Sequence, residues 1–286
     1  MPHEPKMIVI DDDRRLLSLY KRIFDAFSVK VYFTQNSKDA IRVAMYSKPD
    51  IFMTDLIHPG VNGFKMIKDF RKNKYTKEMS IWVVSGSLDT MSQDELRELD
   101  ADEIFCKPVR LERLIEKAEK IFKSTNKDAA LLNLGCEAPD LDYKSDIDLK
   151  SKEGRASFAK DVIAFANNGG GHIIVGVSEP KKGLFEKTGV TEAEAEKFEV
   201  TNINKAIADY IEPQHHISSR RVYEGRKCFH FISIPGVTVE PLLARKENAD
   251  ARLFLGRIYI RTSSAETKEV TRSEELRKIW RCAQRK

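Results

Sequence analysis

The sequence predicts two domains. The first is an α/β domain built on a doubly wound, five-stranded parallel sheet, and the second is of α+β type. Three observations carry this reading. Short apolar runs alternate with amphipathic helical patterns five times between residues 7 and 123, and such alternation builds a parallel sheet with helices on both faces. A length of 286 residues suits two domains better than one. Beyond a polar break at Lys123–Asp128, the pattern changes to a long helix, a glycine triplet and paired strands.

Met7–Ile10 is apolar throughout, as a buried strand should be, and runs into Asp11-Asp12-Asp13. Asp13 is placed to cap the helix Arg14–Phe27, in which Leu16, Leu17, Tyr20 and Phe24 form one face. Val29–Thr34 and Ser37–Ser47 follow as strand and helix. Ile51–Thr54 is the third strand; it ends in Asp55, ahead of a Pro59-Gly60 turn. The remaining helices fall near Gly63–Lys72, Met91–Leu99 and Leu111–Lys123, and the remaining strands at Ser80–Ser85 and Glu103–Cys106. The fifth helix places Leu111, Leu114, Ile115, Ala118 and Ile121 at near-heptad spacing. It either docks on the sheet or continues as a dimer-forming stalk.

Asp11, Asp12 and Asp55 thus lie at the carboxyl ends of strands, where open α/β sheets bind ligands. Three carboxylates this close repel one another unless a divalent cation neutralises them. Mg²⁺ suits hard carboxylate oxygens and keeps waters that an incoming phosphoryl oxygen can replace. Asp55 is then an anionic nucleophile for phosphoryl transfer. Lys107, after the fifth strand, and Ser85, after the fourth, are placed to contact the transferred group.

These residues, in this order and spacing, resemble the receiver domain of two-component response regulators over residues 1 to about 124. The resemblance implies a flavodoxin-like fold with strand order 2-1-3-4-5. It implies Mg²⁺ on Asp11, Asp12 and Asp55, and phosphorylation of Asp55 by a histidine kinase or phosphotransfer protein. Ser85 would be the switch hydroxyl and Lys107-Pro108 the closing pair. One position departs from the family pattern: Ile104 stands where an aromatic residue is usual.

The domains are placed at 1–124 and 135–286, with a linker at 125–134. The second opens with Glu137-Ala-Pro-Asp-Leu-Asp142-Tyr-Lys144. A helical pattern from Ala156 to Ala166 then ends at Gly169-Gly170-Gly171, which reads as a sharp helix stop. His172–Val177 is a strand and Thr191–Ile211 a helix interrupted once. Ser218–Tyr223 and Lys227–Ile234 form a hairpin, and Arg257–Arg261 is a strand with one wet face. Thr271-x-x-Glu274 has capping-box spacing before a final helix.

Asp142-Tyr143-Lys144, Ala164-Phe165-Ala166-Asn167 with the glycine triplet, Ile174–Val177, and Ile258–Arg261 with Thr262-Ser263-Ser264 resemble the Schlafen/AlbA-type domain. That resemblance implies nucleic-acid binding, to DNA or RNA. Candidate contacts are Lys144, Lys150, Lys152 and Arg155 at the front of the domain, Arg220, Arg221 and Arg226 on the hairpin, and Arg257 with Arg261 on one strand face. In catalytic members an acidic triad holds metal. Glu137 and Asp142 match two of its positions, while the third falls on Ser178, or on Glu179 if the register slips. The pattern is that of a vestigial nuclease site.

A net charge of +5, spread over both halves, does not by itself demand nucleic acid. No stretch is long and apolar enough for a membrane span, and the four scattered cysteines lack zinc spacing, so a reduced cytoplasmic protein is expected. The reading is a cytoplasmic response regulator that forms a homodimer on phosphorylation and controls a nucleic-acid-binding output. A phosphorylation-gated ribonuclease and a protein-interaction output remain as alternatives.

Overall fold

The computed structural model describes residues 4–34, 36–58, 61–86, 88, 91–122 and 127–284. The chain forms two compact units, Met1–Leu134 and Gly135–Lys286.

In the first unit β1 (Lys6–Ile10) leads to α1 (Arg14–Asp25), and β2 (Lys30–Thr34) to α2 (Ser37–Ser47). β3 (Ile51–Thr54) reaches α3 (Gly63–Lys72) through a small ribbon, β4 (Ile57–His58) and β5 (Val61–Asn62). β6 (Ser80–Ser85), α4 (Gln93–Glu98), β7 (Glu103–Cys106), α5 (Leu111–Phe122) and α6 (Lys127–Asn133) complete it. The expected Pro59-Gly60 turn lies outside the described residues. The large sheet has the order β2-β1-β3-β6-β7, and all its pairs are parallel.

Burial explains the continuous apolar runs. Met7, Ile8, Val9, Phe52, Ile81, Trp82 and Val83 are fully buried, because helices cover both faces of the sheet. On one face Ile8, Phe52, Ile81 and Val83 pack with Ala40 and Ala44 of α2 and Met66, Ile67 and Phe70 of α3. On the other, Trp82 lies between Phe24 of α1 and Phe105 of β7. Helix starts are fixed by caps: Asp13 Oδ1 accepts from Arg15 N, Asn36 caps α2, Asn62 caps α3, and Ser92 with Glu95 forms a capping box on α4.

Of the two readings of the fifth helix, docking holds: α5 buries Leu111, Leu114, Ile115 and Ala118 within its own unit. One expectation changes. The segment expected as a linker contains α6, whose Ala130, Leu131 and Leu132 are buried. Lys127 anchors it by donating to Glu112, and Arg22 Nη1 donates to the Leu134 carbonyl behind it. Its apolar run was short and lay beside polar residues, so the sequence pattern favoured a break.

The second unit contains β8 (Leu141–Lys144), α7 (Lys152–Asn167), β9 (Gly170–Val175), β10 (Val177–Lys181), β11 (Leu184–Lys187), α8 (Glu192–Ala195), α9 (Val200–Ile207) and β12 (Ile211–Glu212). Then come β13 (Ser218–Glu224), β14 (Lys227–Pro235), β15 (Leu243–Ala244), β16 (Tyr259–Arg261), β17 (Thr267–Glu269) and α10 (Ser273–Gln284). The main sheet runs β13-β14-β9-β8; β8 and β9 are parallel and the other pairs antiparallel. α7 is the central helix. Its Ala156, Phe158, Ala159, Val162, Ile163, Phe165 and Ala166 are all buried.

The glycine triplet is a packing device. A Cβ at Gly170 would lie 2.5 Å from the Ile234 carbonyl and 2.6 Å from Gly236 N, and φ there is +95°. Asn167, buried at the end of α7, donates to the carbonyls of Leu242 and Tyr259 and accepts from Leu242 N at 2.7 Å. The Ala-Phe-Ala-Asn and glycine block therefore ties the helix to three later segments.

Several boundaries differ from the sequence reading, among them a strand that begins at Gly170 and ends at Val175. Thr191–Ile211 divides into α8, a 3-10 turn at Glu196–Phe198 and α9, and Ile211 pairs with Ala244 as a strand. The wet-faced strand shortens to Tyr259–Arg261. The carboxylate that closes the start of α10 is Glu275, which accepts from Thr271 N and Arg272 N, because the helix begins one residue later than the capping-box spacing implied.

Candidate functional site

In the first unit the strand order reverses at β1 and β3, and side chains just past their ends share one pocket. Asp11 and Asp55 are buried and Asp12 is exposed. Carboxylate oxygens of the three lie within 4.8 Å of one another. The backbone sets this up: Asp55 N donates to the Ile10 carbonyl at 3.2 Å, which continues the β1–β3 ladder to the site itself. Gly63 keeps the next turn close, since a Cβ there would meet Leu56 Cα at 2.8 Å.

Lys107 Nζ donates to Asp55 Oδ2 at 2.7 Å and lies 2.9 Å from Asp11 Oδ2. The other oxygens are also occupied: Asp11 Oδ1 accepts from Asp13 N and Asp55 Oδ1 from Ile57 N. Burial works against the Lys107 ammonium, but hydrogen bonds to Asp55 and Asp11 outweigh it and raise its pKa. Ser85 is buried at the end of β6, where its carbonyl accepts from Lys107 N at 3.0 Å. Ile104, half-buried, packs against the apolar core.

The donor set is all hard oxygen, and one carboxylate faces solvent. That chemistry fits Mg²⁺ with several retained waters. Asp11, Asp12 and Asp55 would hold it once the ammonium gives up its share of Asp11 and Asp55. Tyr20 was read only as a core residue. Its hydroxyl is buried without a hydrogen-bond partner, and burial, with Asp11, Asp55 and Asp13 nearby, keeps the phenol protonated.

The second unit collects its own charges at the β8 edge. Asp142 Oδ2 lies 2.9 Å from Lys144 Nζ, and Asp142 Oδ1 lies 3.3 Å from Arg261 Nη2. Lys144 also reaches Asp161 of α7 at 3.5 Å, and Thr267 Oγ1 donates to Asp161 at 3.2 Å. Burial and the neighbouring Asp142 raise the Glu137 carboxyl to about 7, and the two acids share a hydrogen bond. Burial raises Asp161 as well. Asp161 was missed in the sequence; its signal is a carboxylate among Phe158, Ala159, Val162 and Ile163.

This cluster does not fit a nuclease metal centre. An ammonium and a buried guanidinium occupy the two oxygens of Asp142, and Glu137 shares a hydrogen bond with Asp142. Glu179 stays out of the cluster: it is exposed and accepts from Gly183 N in the β10–β11 turn.

The proposed nucleic-acid contacts separate into two groups. Arg261 is buried on Asp142 and stacks over Phe165 at 4.6 Å, and Lys144 is held by Asp142 and Asp161. Arg155 donates to the carbonyls of Leu149 and Lys150. Arg221 is paired with Glu192 and Glu199, Arg220 covers the Phe231 ring, and Arg257 lies 3.3 Å from Glu269. These side chains have internal work. Lys150, Lys152 and Arg226 are exposed. The sequence showed where charge was, but not which charge was already matched.

Comparison with known proteins agrees with this division. The response regulator receiver domain family matches residues 7–119, and the Schlafen, AlbA_2 family matches residues 137–270. The DNA-binding dual master transcriptional regulator RpaA of Synechocystis sp. is 25% identical over 142 residues, covering 46% of this chain and 57% of that protein. The transcriptional regulatory protein CpxR of Klebsiella pneumoniae is 25% identical over 121 residues, covering 42% of this chain and 50% of that protein. The chain thus spans about half the length of these curated relatives. Among solved structures, the chemotaxis response regulator CheY4 of Vibrio cholerae aligns over 42% of this chain and 99% of its own, at 18% identity and a TM-score of 0.37. The signal receiver domain of a DNA binding response regulator from Colwellia psychrerythraea aligns over 42% and 100%, at 20% identity and a TM-score of 0.39. Residues 7–119 are a response regulator receiver domain, and residues 137–270, behind it on the same chain, are a Schlafen AlbA_2 domain.

Proposed function

We propose that this chain is a cytoplasmic two-component response regulator that accepts a phosphoryl group on Asp55 and passes the signal to a nucleic-acid-binding output domain. The observation that supports it most is the Lys107 bridge between Asp55 and Asp11. A carboxylate suited to nucleophilic attack, hard-oxygen donors suited to a cation, and an ammonium to balance the incoming charge meet in one pocket.

The donor is a phosphohistidine on a kinase or phosphotransfer protein. Asp55 Oδ2 forms the new O–P bond as the P–N bond breaks, and the imidazole leaves with its electron pair. Mg²⁺, when bound by Asp11, Asp12 and Asp55, neutralises the carboxylates and draws charge from the phosphoryl oxygens. Lys107 then exchanges its carboxylate contact for a phosphoryl oxygen, and the Ser85 hydroxyl supplies a second donor. These movements reshape the surface beside α4 and α5 and favour a homodimer. With Ile104 in place of an aromatic residue, the relay runs through Ser85 and Lys107.

The output half is DNA or RNA binding by residues 135–286. Its support is the exposed cations that remain after internal pairing: Lys150, Lys152 and Arg226. Among the described residues no helix is long and apolar enough to cross a membrane. The test is direct. A small phosphodonor with Mg²⁺ should add one phosphoryl group by intact mass, and oligonucleotide affinity should then change. Labelling of Asp55→Asn to the wild-type extent would refute the phosphoacceptor. No oligonucleotide binding at low salt, in either state, would refute the output.

A further inference from the structure

The segment 245–257 of the second unit is a rigid loop that shows two apolar side chains to solvent. Phe254 is 43% exposed and Leu255 is 62% exposed, while Leu253 between them and the core is fully buried. The backbone beneath is fixed from several sides. Phe254 N donates to Tyr259 Oη at 2.9 Å, and that hydroxyl donates to the Arg252 carbonyl at 3.1 Å. Lys160 Nζ donates to the Ala251 carbonyl at 2.6 Å. Gly256 N donates to the Ala244 carbonyl at 2.7 Å, and Asn248 and Leu253 exchange backbone hydrogen bonds at 2.8 and 3.0 Å. Collapse of Phe254 onto the core would break this set.

The surroundings are cationic. Arg245, Lys246, Arg252 and Arg257 are exposed on the same segment, which has two acids, Glu247 and Asp250. Burial lowers the pKa of Lys160 below the loop; Asp161 opposes this, and Arg252 and Lys144 add to it. An exposed ring on a preorganised loop, flanked by guanidinium groups, matches the needs of an unstacked base and its phosphates. Two apolar side chains are too little surface for a stable protein interface. A duplex keeps its bases stacked and offers the ring nothing to cover.

We infer that the 245–257 loop is a single-stranded nucleic-acid contact, with Phe254 as the stacking platform for one base and Arg252 and Arg257 on the adjoining phosphates. Arg257 reaches a phosphate by exchanging its exposed contact with Glu269. The inference rests on the nucleic-acid reading of this domain and names its substrate class.

The experiment is an anisotropy titration of the full chain with a fluorescein-labelled single-stranded oligonucleotide and a duplex of equal length, at low salt. Phe254→Ala should weaken single-strand binding about tenfold and leave duplex binding unchanged, Phe254→Trp should restore it, and Phe254→Leu should not. Arg252→Gln should flatten the single-strand salt dependence by about 0.7 in log–log slope. Wild-type single-strand binding that survives Phe254→Ala within twofold would overturn the loop assignment and leave the nucleic-acid reading standing. So would full rescue by Phe254→Leu, since apolar contact would then suffice without stacking; anionic phosphatidylglycerol vesicles, bound by both wild type and the Leu variant, would identify a lipid surface instead. Wild type that binds neither oligonucleotide would overturn both. Phe254 is half in solvent, so the melting temperature of each variant should match wild type.

Discussion

Arg261 Nη2 lies 3.3 Å from Asp142 Oδ1, and both side chains are 4% exposed. The pair joins β16 to β8 across 119 residues of sequence. A buried ion pair of this kind is worth little relative to an apolar pair, yet removing the guanidinium leaves the buried Asp142 to Lys144 alone and uncovers the Phe165 ring. Arg261→Ala should therefore destabilise the second domain by about 3–5 kcal/mol, whereas Arg257→Ala, on a wet face, should cost under about 1 kcal/mol. Urea unfolding of the two variants checks the contrast. Equal costs would mean that the buried pair is not the tie between these strands.

Asn167 predicts a second structural loss. Its amide makes three buried hydrogen bonds, to Leu242 N, the Leu242 carbonyl and the Tyr259 carbonyl. Asn167→Ala strands all three backbone groups, at about 1–3 kcal/mol for each buried group left unsatisfied. Loss of cooperative unfolding at room temperature is the expected result, read by denaturant titration. A shift under about 1 kcal/mol would require water to replace the amide.

How much of this was legible in the sequence depended on periodicity and on pairing. The parallel sheet was readable because β1, β3 and β6 are buried on both faces and so are apolar without interruption. The acidic site was readable because strand ends in such a sheet converge on one place. Asp161 and Tyr20 were not: an acid among apolar neighbours is visible, and so is a tyrosine on a buried helix face, but neither pattern names what lies across from it. Arg261 alternated with Ile258 and Ile260 like a surface residue, and only Asp142, far away in sequence, makes it an interior one. α6 was taken for a linker because a seven-residue helix carries too little pattern to outweigh its polar flanks.

Lys107 holds two carboxylates that a divalent cation also needs. Lys107→Met should tighten Mg²⁺ binding by about 1–2 kcal/mol, a factor of roughly 5 to 30, because the cation no longer competes with charge-assisted hydrogen bonds. The same variant should still accept a phosphoryl group on Asp55 but fail to change oligomeric state by light scattering. Weaker Mg²⁺ binding than wild type would show that Lys107 organises the carboxylates rather than occupying them.

The Glu137–Asp142 pair makes the second domain sensitive to pH. Glu137 titrates at about 7 in the folded chain and near 4.5 when free. The folded state thus holds this proton more tightly than the unfolded state. Its contribution is complete below pH 4.5 and is lost as pH rises through about 7; solvent screening of this half-exposed group holds the loss to about 1–2 kcal/mol. Glu137→Gln, which keeps a neutral hydrogen-bonding side chain, should remove this loss. Urea unfolding at pH 5 and pH 8 checks it: a Gln variant as pH-dependent as wild type would place the proton elsewhere.

The same charges argue against nucleolytic chemistry. Metal-assisted cleavage needs carboxylates free to bind a cation and held close to ideal geometry. Here Asp142 faces Lys144 on one oxygen and Arg261 on the other, Asp161 faces Lys144 and Thr267, and Glu137, pushed up to about 7 by burial and Asp142, shares a hydrogen bond with Asp142. A cation entering this cluster would have to displace an ammonium at 2.9 Å and sit beside a buried guanidinium. Structured RNA incubated with the full chain and Mn²⁺ or Mg²⁺ should remain intact. Lys144→Met should let Mn²⁺ in before it lets RNA be cut, so metal binding by calorimetry, on an Asp55→Asn background that weakens the receiver site, separates occupancy from catalysis. Cleavage by the wild type that disappears in Glu137→Ala would reverse this conclusion and make the second domain an enzyme.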